Sequence, residues 1–137
     1  MAYTIIEVER QTGISSHTLR FWIKKGLFPF IQRDKNGVKY FSQRDIDWAL
    51  WVECLRSMQM SLEDIKKYIL SASQGMDSIK ERKEMLCKQR NKVKQLLKTT
   101  KKSLEMVEHK IKIYEEMIQS GKDLLNPESK DYYKNQE

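Results

Sequence analysis

Ser15-Ser16-His17-Thr18-Leu19-Arg20-Phe21-Trp22-Ile23-Lys24-Lys25-Gly26 is the stretch whose reading decides the fold. Ser15 or Ser16 can cap a helix start, because a side-chain oxygen there accepts an otherwise orphaned backbone N–H. Leu19 and Ile23, four apart, form an inward stripe, Arg20, Lys24 and Lys25 project from the other side, and Gly26 stops the helix. Upstream, Thr4 caps a first short helix with Ile5, Val8 and Ile6 as inward candidates. Gly13 joins the two through a tight turn, since glycine tolerates positive φ. Two short helices, a glycine turn and a basic second helix spell a helix-turn-helix, whose second helix can enter a DNA major groove.

Beyond Gly26, Asn36-Gly37 is a strong hairpin signal, because a type I′ turn needs positive φ at both central residues. The flanks read as two short strands, a wing beside the helix-turn-helix, with Arg33, Lys35 and Lys39 near a phosphate backbone. The alternative is a solvated loop. Ser42 then caps a third helix whose Ile46, Trp48, Ala49, Leu50, Trp51, Val52, Leu55 and Met58 cover more than one face. Such a helix packs on two sides. Ser61 caps a fourth, with Asp64 at the capping-box position and Leu62, Ile65, Ile69 and Leu70 turned inward. Residues 71–75 read as a linker.

Residues 76 to about 120 contain neither proline nor glycine. Heptad positions a fall on Met76, Lys83, Arg90, Leu97, Leu104, Ile111 and Ile118, and d on Ile79, Leu86, Val93, Thr100, Val107 and Tyr114. The repeat is regular from Val93 to Ile118 and weakened by charge at Lys83 and Arg90. A helix of about 65 Å cannot fold alone, and a two-chain coiled coil buries its seam. Residues 88–102 carry seven basic side chains and no acid, whereas Glu105, Glu108, Glu115 and Glu116 follow. Parallel pairing stacks like charge on like, so antiparallel pairing about a centre near residue 100 is favoured. The expected architecture is mostly α: a winged helix-turn-helix domain (1–75), a long antiparallel coiled-coil dimerisation helix (76–120) and a flexible tail (121–137).

Composition narrows the function classes. The chain of 137 residues has a net charge of +7 that is unevenly spread. Residues 20–44 hold seven Lys/Arg against Asp34 alone, whereas Asp45, Asp47, Glu53, Glu63 and Asp64 then face Arg56. A polyanion would meet the first third of the chain, with steep salt dependence from counterion release. No apolar run is long enough for a membrane span and no signal peptide is apparent, which points to the cytoplasm. Cys54 and Cys87 are far apart and suggest reduced thiols. No paired carboxylates, nucleophile triad or phosphate-binding glycine loop suggests an enzyme, and no cofactor is implied. A DNA-bending, nucleoid-associated protein without an effector is the competing function.

The order of parts resembles the MerR family of bacterial transcription regulators over residues 3 to about 120. The resemblance rests on Thr12-Gly13-Ile14-Ser15, Thr18-Leu19-Arg20-Phe21-Trp22, Lys25-Gly26-Leu27, residues 33–41, Asp45-Ile46 and Met60-Ser61-Leu62-Glu63-Asp64-Ile65. It implies a homodimer on a palindromic promoter site, bending and untwisting the DNA so that RNA polymerase engages both promoter elements. Arg20, Phe21 and Trp22 match the family's backbone-gripping Arg-aromatic-aromatic triplet. Phe21 lacks the usual phenolic hydroxyl, the Trp22 indole can still donate to phosphate, and Ile23 replaces the usual glutamate. Core packing is the other reading of both aromatics. The candidate DNA-contacting set is Ser15, Ser16, His17, Thr18, Arg20, Phe21, Trp22 and Lys24 on the second helix. Arg33, Lys35, Asn36, Gly37, Lys39 and Tyr40 complete it on the wing.

The resemblance also bears on what is sensed. The short tail leaves no room for a drug-binding domain, and nothing after Cys87 is a cysteine, so no metal site is expected. Cys54 stands where the thiol-dependent branch of the family, responsive to aldehydes and nitrosative stress, carries one cysteine. A thiolate adds to electrophiles, and Arg56 or a lysine nearby would lower its pKa. The other reading of Cys54 is a small buried hydrophobe. Cys87 reads as structural.

Overall fold

The computed structural model describes residues 2–136, with side chains described as far as Lys134. The elements run α1 (Ile5–Thr12), α2 (Ser16–Lys24), β1 (Gln32–Arg33), β2 (Lys39–Tyr40), α3 (Gln43–Ser57), α4 (Leu62–Ala72) and α5 (Ile79–Ser120). A 3-10 turn, Gly75–Ser78, precedes α5, and a second, Tyr133–Gln136, follows it. Two compact units divide at Val93 and Lys94.

In the first unit one core gathers Val8 of α1, Leu19 and Trp22 of α2, Phe41 after β2, Ile46, Val52 and Leu55 of α3, and Ile65 of α4. The local signals explain why these segments fold where they do. Ser15, not Ser16, caps α2, its hydroxyl accepting from the Thr18 N–H. Gly26, at φ +82°, ends that helix in a Schellman turn. The Gly26 N–H donates to the Ile23 carbonyl at 3.0 Å and the Leu27 N–H to the Trp22 carbonyl at 3.1 Å, while Leu27 and Trp22 are both buried. The same device joins α3 to α4. There Gln59 N–H donates to Arg56 O (3.0 Å) and Met60 N–H to Leu55 O (3.3 Å), with Gln59 at φ +67°. A non-glycine residue in that region costs about 1–2 kcal/mol. Buried Leu55 and Met60 and the Gln89 amide, which donates to Met58 O at 2.9 Å, hold the turn against that strain.

Several details depart from expectation. The hairpin pairs Gln32 with Tyr40 and Arg33 with Lys39, and Asp34 N–H donates to Val38 O. The loop is thus three residues long, with Gly37 at φ +81° and Asn36 outside positive φ. It is a type I turn closed by a glycine bulge rather than a type I′ turn. The Asp34 carboxylate, accepting from the Asn36 and Val38 N–H groups, selects this form. Tyr3 adds a bridge to Phe41 that extends the sheet edge. Ile6 is 51% exposed and Leu70 is 49% exposed, so neither belongs to the inward stripes. The complete capping box forms at Ser42 and Asp45. Ser61 caps α4, but the Asp64 carboxylate meets Lys92 at 3.5 Å instead.

The early turns of α5 belong to the first unit, beyond the boundary expected at residue 75. Met85 and Leu86 pack on its core and Gln89 is buried. That explains the charges at Lys83 and Arg90, which interrupt a heptad not serving as a seam there. In the second unit, by contrast, Leu97, Leu104, Val107, Ile111, Tyr114 and Ile118 are all more than half exposed. The described part of the tail turns back on itself after α5. Gly121 N–H donates to Met117 O (2.8 Å), Tyr133 N–H to Leu124 O (2.9 Å), and Met117 is buried.

Candidate nucleic-acid interface

The exposed side of α2 carries His17, Arg20, Phe21 and Lys24, at the helical spacing that puts them on one face. Behind that face Leu19 and Trp22 are buried. Trp22 is 3% exposed, so its ring belongs to the core, and it leaves the set expected to grip a backbone. The reason is spacing: Leu19 and Trp22, three apart, share the inward stripe. Phe21 faces out at 43% exposure, with the Lys25 ammonium 5.5 Å from its ring centroid.

The cap residues are committed locally. Ser15 accepts from the Thr18 N–H and donates to the Thr18 hydroxyl at 2.9 Å, while Ser16 donates to the Glu9 carboxylate at 2.6 Å. Arg33, Lys35, Asn36 and Gly37 are exposed on the hairpin, and Lys39 and Tyr40 are half-buried at its second strand. Lys66 is a cation that local reading of α2 missed. Its Nζ would lie 2.9 Å from a Cβ built on Gly26, so this ammonium sits over the C-terminal end of α2, where the helix dipole favours positive charge. The 39 residues between Gly26 and Lys66 hid it, and the sequence of α2 carries no signal for it. Cys54 is exposed on α3, which overturns its reading as a buried hydrophobe. The Arg56 guanidinium reaches the Met60 carbonyl at 3.4 Å. Among the described residues no group of three His, Cys, Asp or Glu side chains is placed to hold a metal, and no helix is long and apolar enough to cross a membrane.

The family profile of the MerR HTH family regulatory protein matches residues 3–72. An uncharacterized HTH-type transcriptional regulator of Haemophilus influenzae is 36% identical over 115 residues, 84% of this chain and 85% of that one. The chain belongs to the MerR family. Two solved MerR structures share its fold. One is HiNmlR, a MerR family regulator lacking the sensor domain, bound to promoter DNA. It is 35% identical with a TM-score of 0.67, covering 88% of this chain and 96% of that one. The other, a MerR family regulator from Bacillus thuringiensis, is 31% identical with a TM-score of 0.65, covering 83% and 100%. This MerR chain is therefore a transcriptional regulator by family, and the exposed face of α2 lies in the part the profile matches.

Glu9 ties the two helices of the motif together. The Ser16 hydroxyl and backbone N–H hold its carboxyl below the ordinary glutamate range, against an opposing effect of burial, and the Arg20 and Arg10 charges add to the lowering. A carboxyl with a lowered folded pKa stabilises the fold above its unfolded pKa, and loses that contribution as pH falls through the folded value. Glu9→Gln should therefore lower the melting temperature above roughly pH 5 and converge with the wild type well below roughly pH 4. A difference between the two that stays constant from pH 7 to pH 3 would contradict this role.

Proposed function

We propose that the chain is a homodimeric MerR-type regulator that binds a palindromic promoter site and distorts it, so that RNA polymerase engages both promoter elements. The observation that carries this is the exposed His17-Arg20-Phe21-Lys24 face on the second helix of a helix-turn-helix, flanked by the basic hairpin. The similar HiNmlR is bound to promoter DNA, which supports the same use here. The α2 face would enter the major groove, with Ser15, Ser16 and Thr18 at its start. Arg33, Lys35, Asn36, Gly37, Lys39 and Tyr40 would act as a wing on the phosphates, with Lys66 beside Gly26 at the end of α2. Positioning by backbone contacts and selection by deformability suit this mostly cationic surface.

Dimer formation is supported by the bare seam of α5. Set antiparallel about a point between Glu105 and Met106, Val93 meets the partner's Ile118, Leu97 the partner's Tyr114, Thr100 the partner's Ile111, and Leu104 the partner's Val107. In that same register Lys94 faces the partner's Glu115 and Lys101 the partner's Glu108, at the flanking e positions. One alignment thus pairs every apolar position of the seam and both flanking charges. The parallel alternative sets Lys94 against the partner's Gln89 and Glu108 against the partner's Ser103, e against g, and pairs neither charge.

Exposed Cys54 on α3 is suited to act as the trigger, its thiolate adding to an aldehyde or accepting a nitroso group. Modification there would bias the dimer between two DNA-bound geometries.

DNA contact is tested by fluorescence anisotropy on a palindromic promoter fragment at several salt concentrations. Arg33→Gln or Lys39→Gln, present twice per dimer, should each flatten the log–log salt slope by about 2 and weaken binding alike on all sequences. Unchanged slopes would remove the wing from the interface. For the trigger, peptide mass mapping after brief exposure to dilute aldehyde or a nitrosating agent should find adducts on Cys54. An unmodified Cys54, or a Cys54→Ser protein that answers the same agents equally at the promoter, would exclude it.

A further inference from the structure

The base of the hairpin, the segment after α2, the start of α3 and the end of α4 enclose an open groove of about 1080 Å³. Phe28, Phe41 and Trp48 line it, and Phe28 and Phe41 meet edge to face at 6.0 Å. Phe30 and Leu70 also line it, although they stand 80% and 49% exposed, two large apolar side chains left in water at one place. The lining carries two charged groups. The Asp45 carboxylate is already committed, accepting the Ser42 N–H at 2.9 Å to complete the α3 capping box. Arg44 is exposed and has no ion pair among the described residues.

The geometry points to a binding site for a small aromatic organic anion, with its ring against Trp48 and the exposed Phe30 and Leu70 and its acid group on Arg44. The volume is that of a pocket for a drug-sized ligand, and the composition, mainly apolar with a few polar groups, is the usual one for such sites. A carboxylate suits Arg44 because guanidinium and carboxylate match as a two-pronged, charge-assisted pair. A bare inorganic anion would gain only an exposed ion pair and leave Phe30 and Leu70 uncovered. A neutral apolar ligand would leave Arg44 unused. This site lies apart from the exposed face of α2, and because Tyr40 of the proposed wing also lines it, its ligand binding is measured without DNA.

Trp48 also supplies a reporter, since it stacks on Trp51 with centroids 5.1 Å apart and planes 13° from parallel. The full chain would be titrated with 2-naphthoate and with its neutral counterpart 2-naphthamide, following tryptophan quenching, with calorimetry for stoichiometry. The acid should bind saturably, one per chain, about tenfold more tightly than the amide. Arg44→Gln should reduce the acid to the level of the amide while leaving the melting temperature unchanged. Leu70→Glu should weaken both ligands. Equal affinity for acid and amide on the wild type would overturn the anion site in favour of a neutral ligand. An Arg44→Gln or Leu70→Glu protein that binds the acid as the wild type does would overturn it too, as would failure of the acid to saturate.

Discussion

A helix of 42 residues with an apolar row left in water is the constraint on which the rest of this molecule depends. From Leu104 to Ile118 the row recurs every three or four residues, and each of its side chains is more than half exposed. Each such side chain is worth about 1.5–3 kcal/mol when fully buried, so the row is a large reserve of unrealised stability. A single chain cannot use it, because a helix does not fold back on its own seam. In the proposed dimer a second copy covers it, and the flanking lysines and glutamates choose the direction. Each chain of that dimer would bring one helix-turn-helix, and a two-fold DNA site is the matching target.

Inside the first unit, the same economy of local devices recurs at each junction. Gly26 and Gln59 end α2 and α3 in Schellman turns, each stitched by a buried apolar pair. The first presents the outer face of α2 while Trp22 anchors its inner face. The second is held from a distance by Gln89 of α5, so the long helix and the α3–α4 turn share one hydrogen bond. A change in the early turns of α5 would reach the DNA-reading unit through that contact, and exposed Cys54 lies one turn of α3 from it.

Much of this was legible in the sequence because it rests on short-range chemistry. Thr4, Ser42 and Ser61 cap the helices where expected, and Gly13 and Gly26 sit in the left-handed region at the two stops of the helix-turn-helix. What escaped was set by tertiary packing or by competing local bonds. Asn36-Gly37 reads as a type I′ turn until the Asp34 carboxylate claims the Asn36 and Val38 N–H groups. Trp22 reads either as a phosphate donor or as core, and its three-residue offset from Leu19 decides for the core. The start of α5 reads as a weak heptad, yet Met85 and Leu86 belong to the core of the first unit. Lys66 and the groove beside Arg44 arise only when segments distant in the chain meet.

The most direct measurement joins the dimer seam to DNA binding. Sedimentation equilibrium and a gel-shift titration would be run on Lys101→Glu, Glu108→Lys and the double exchange. In the antiparallel register each single variant sets two like-charged pairs across the seam, so dimer dissociation should strengthen by about tenfold or more and promoter binding should weaken with it. The double exchange restores opposite charges in the same places and should recover both. Single variants that remain fully dimeric, or a double exchange no better than either single one, would contradict the proposed antiparallel pairing.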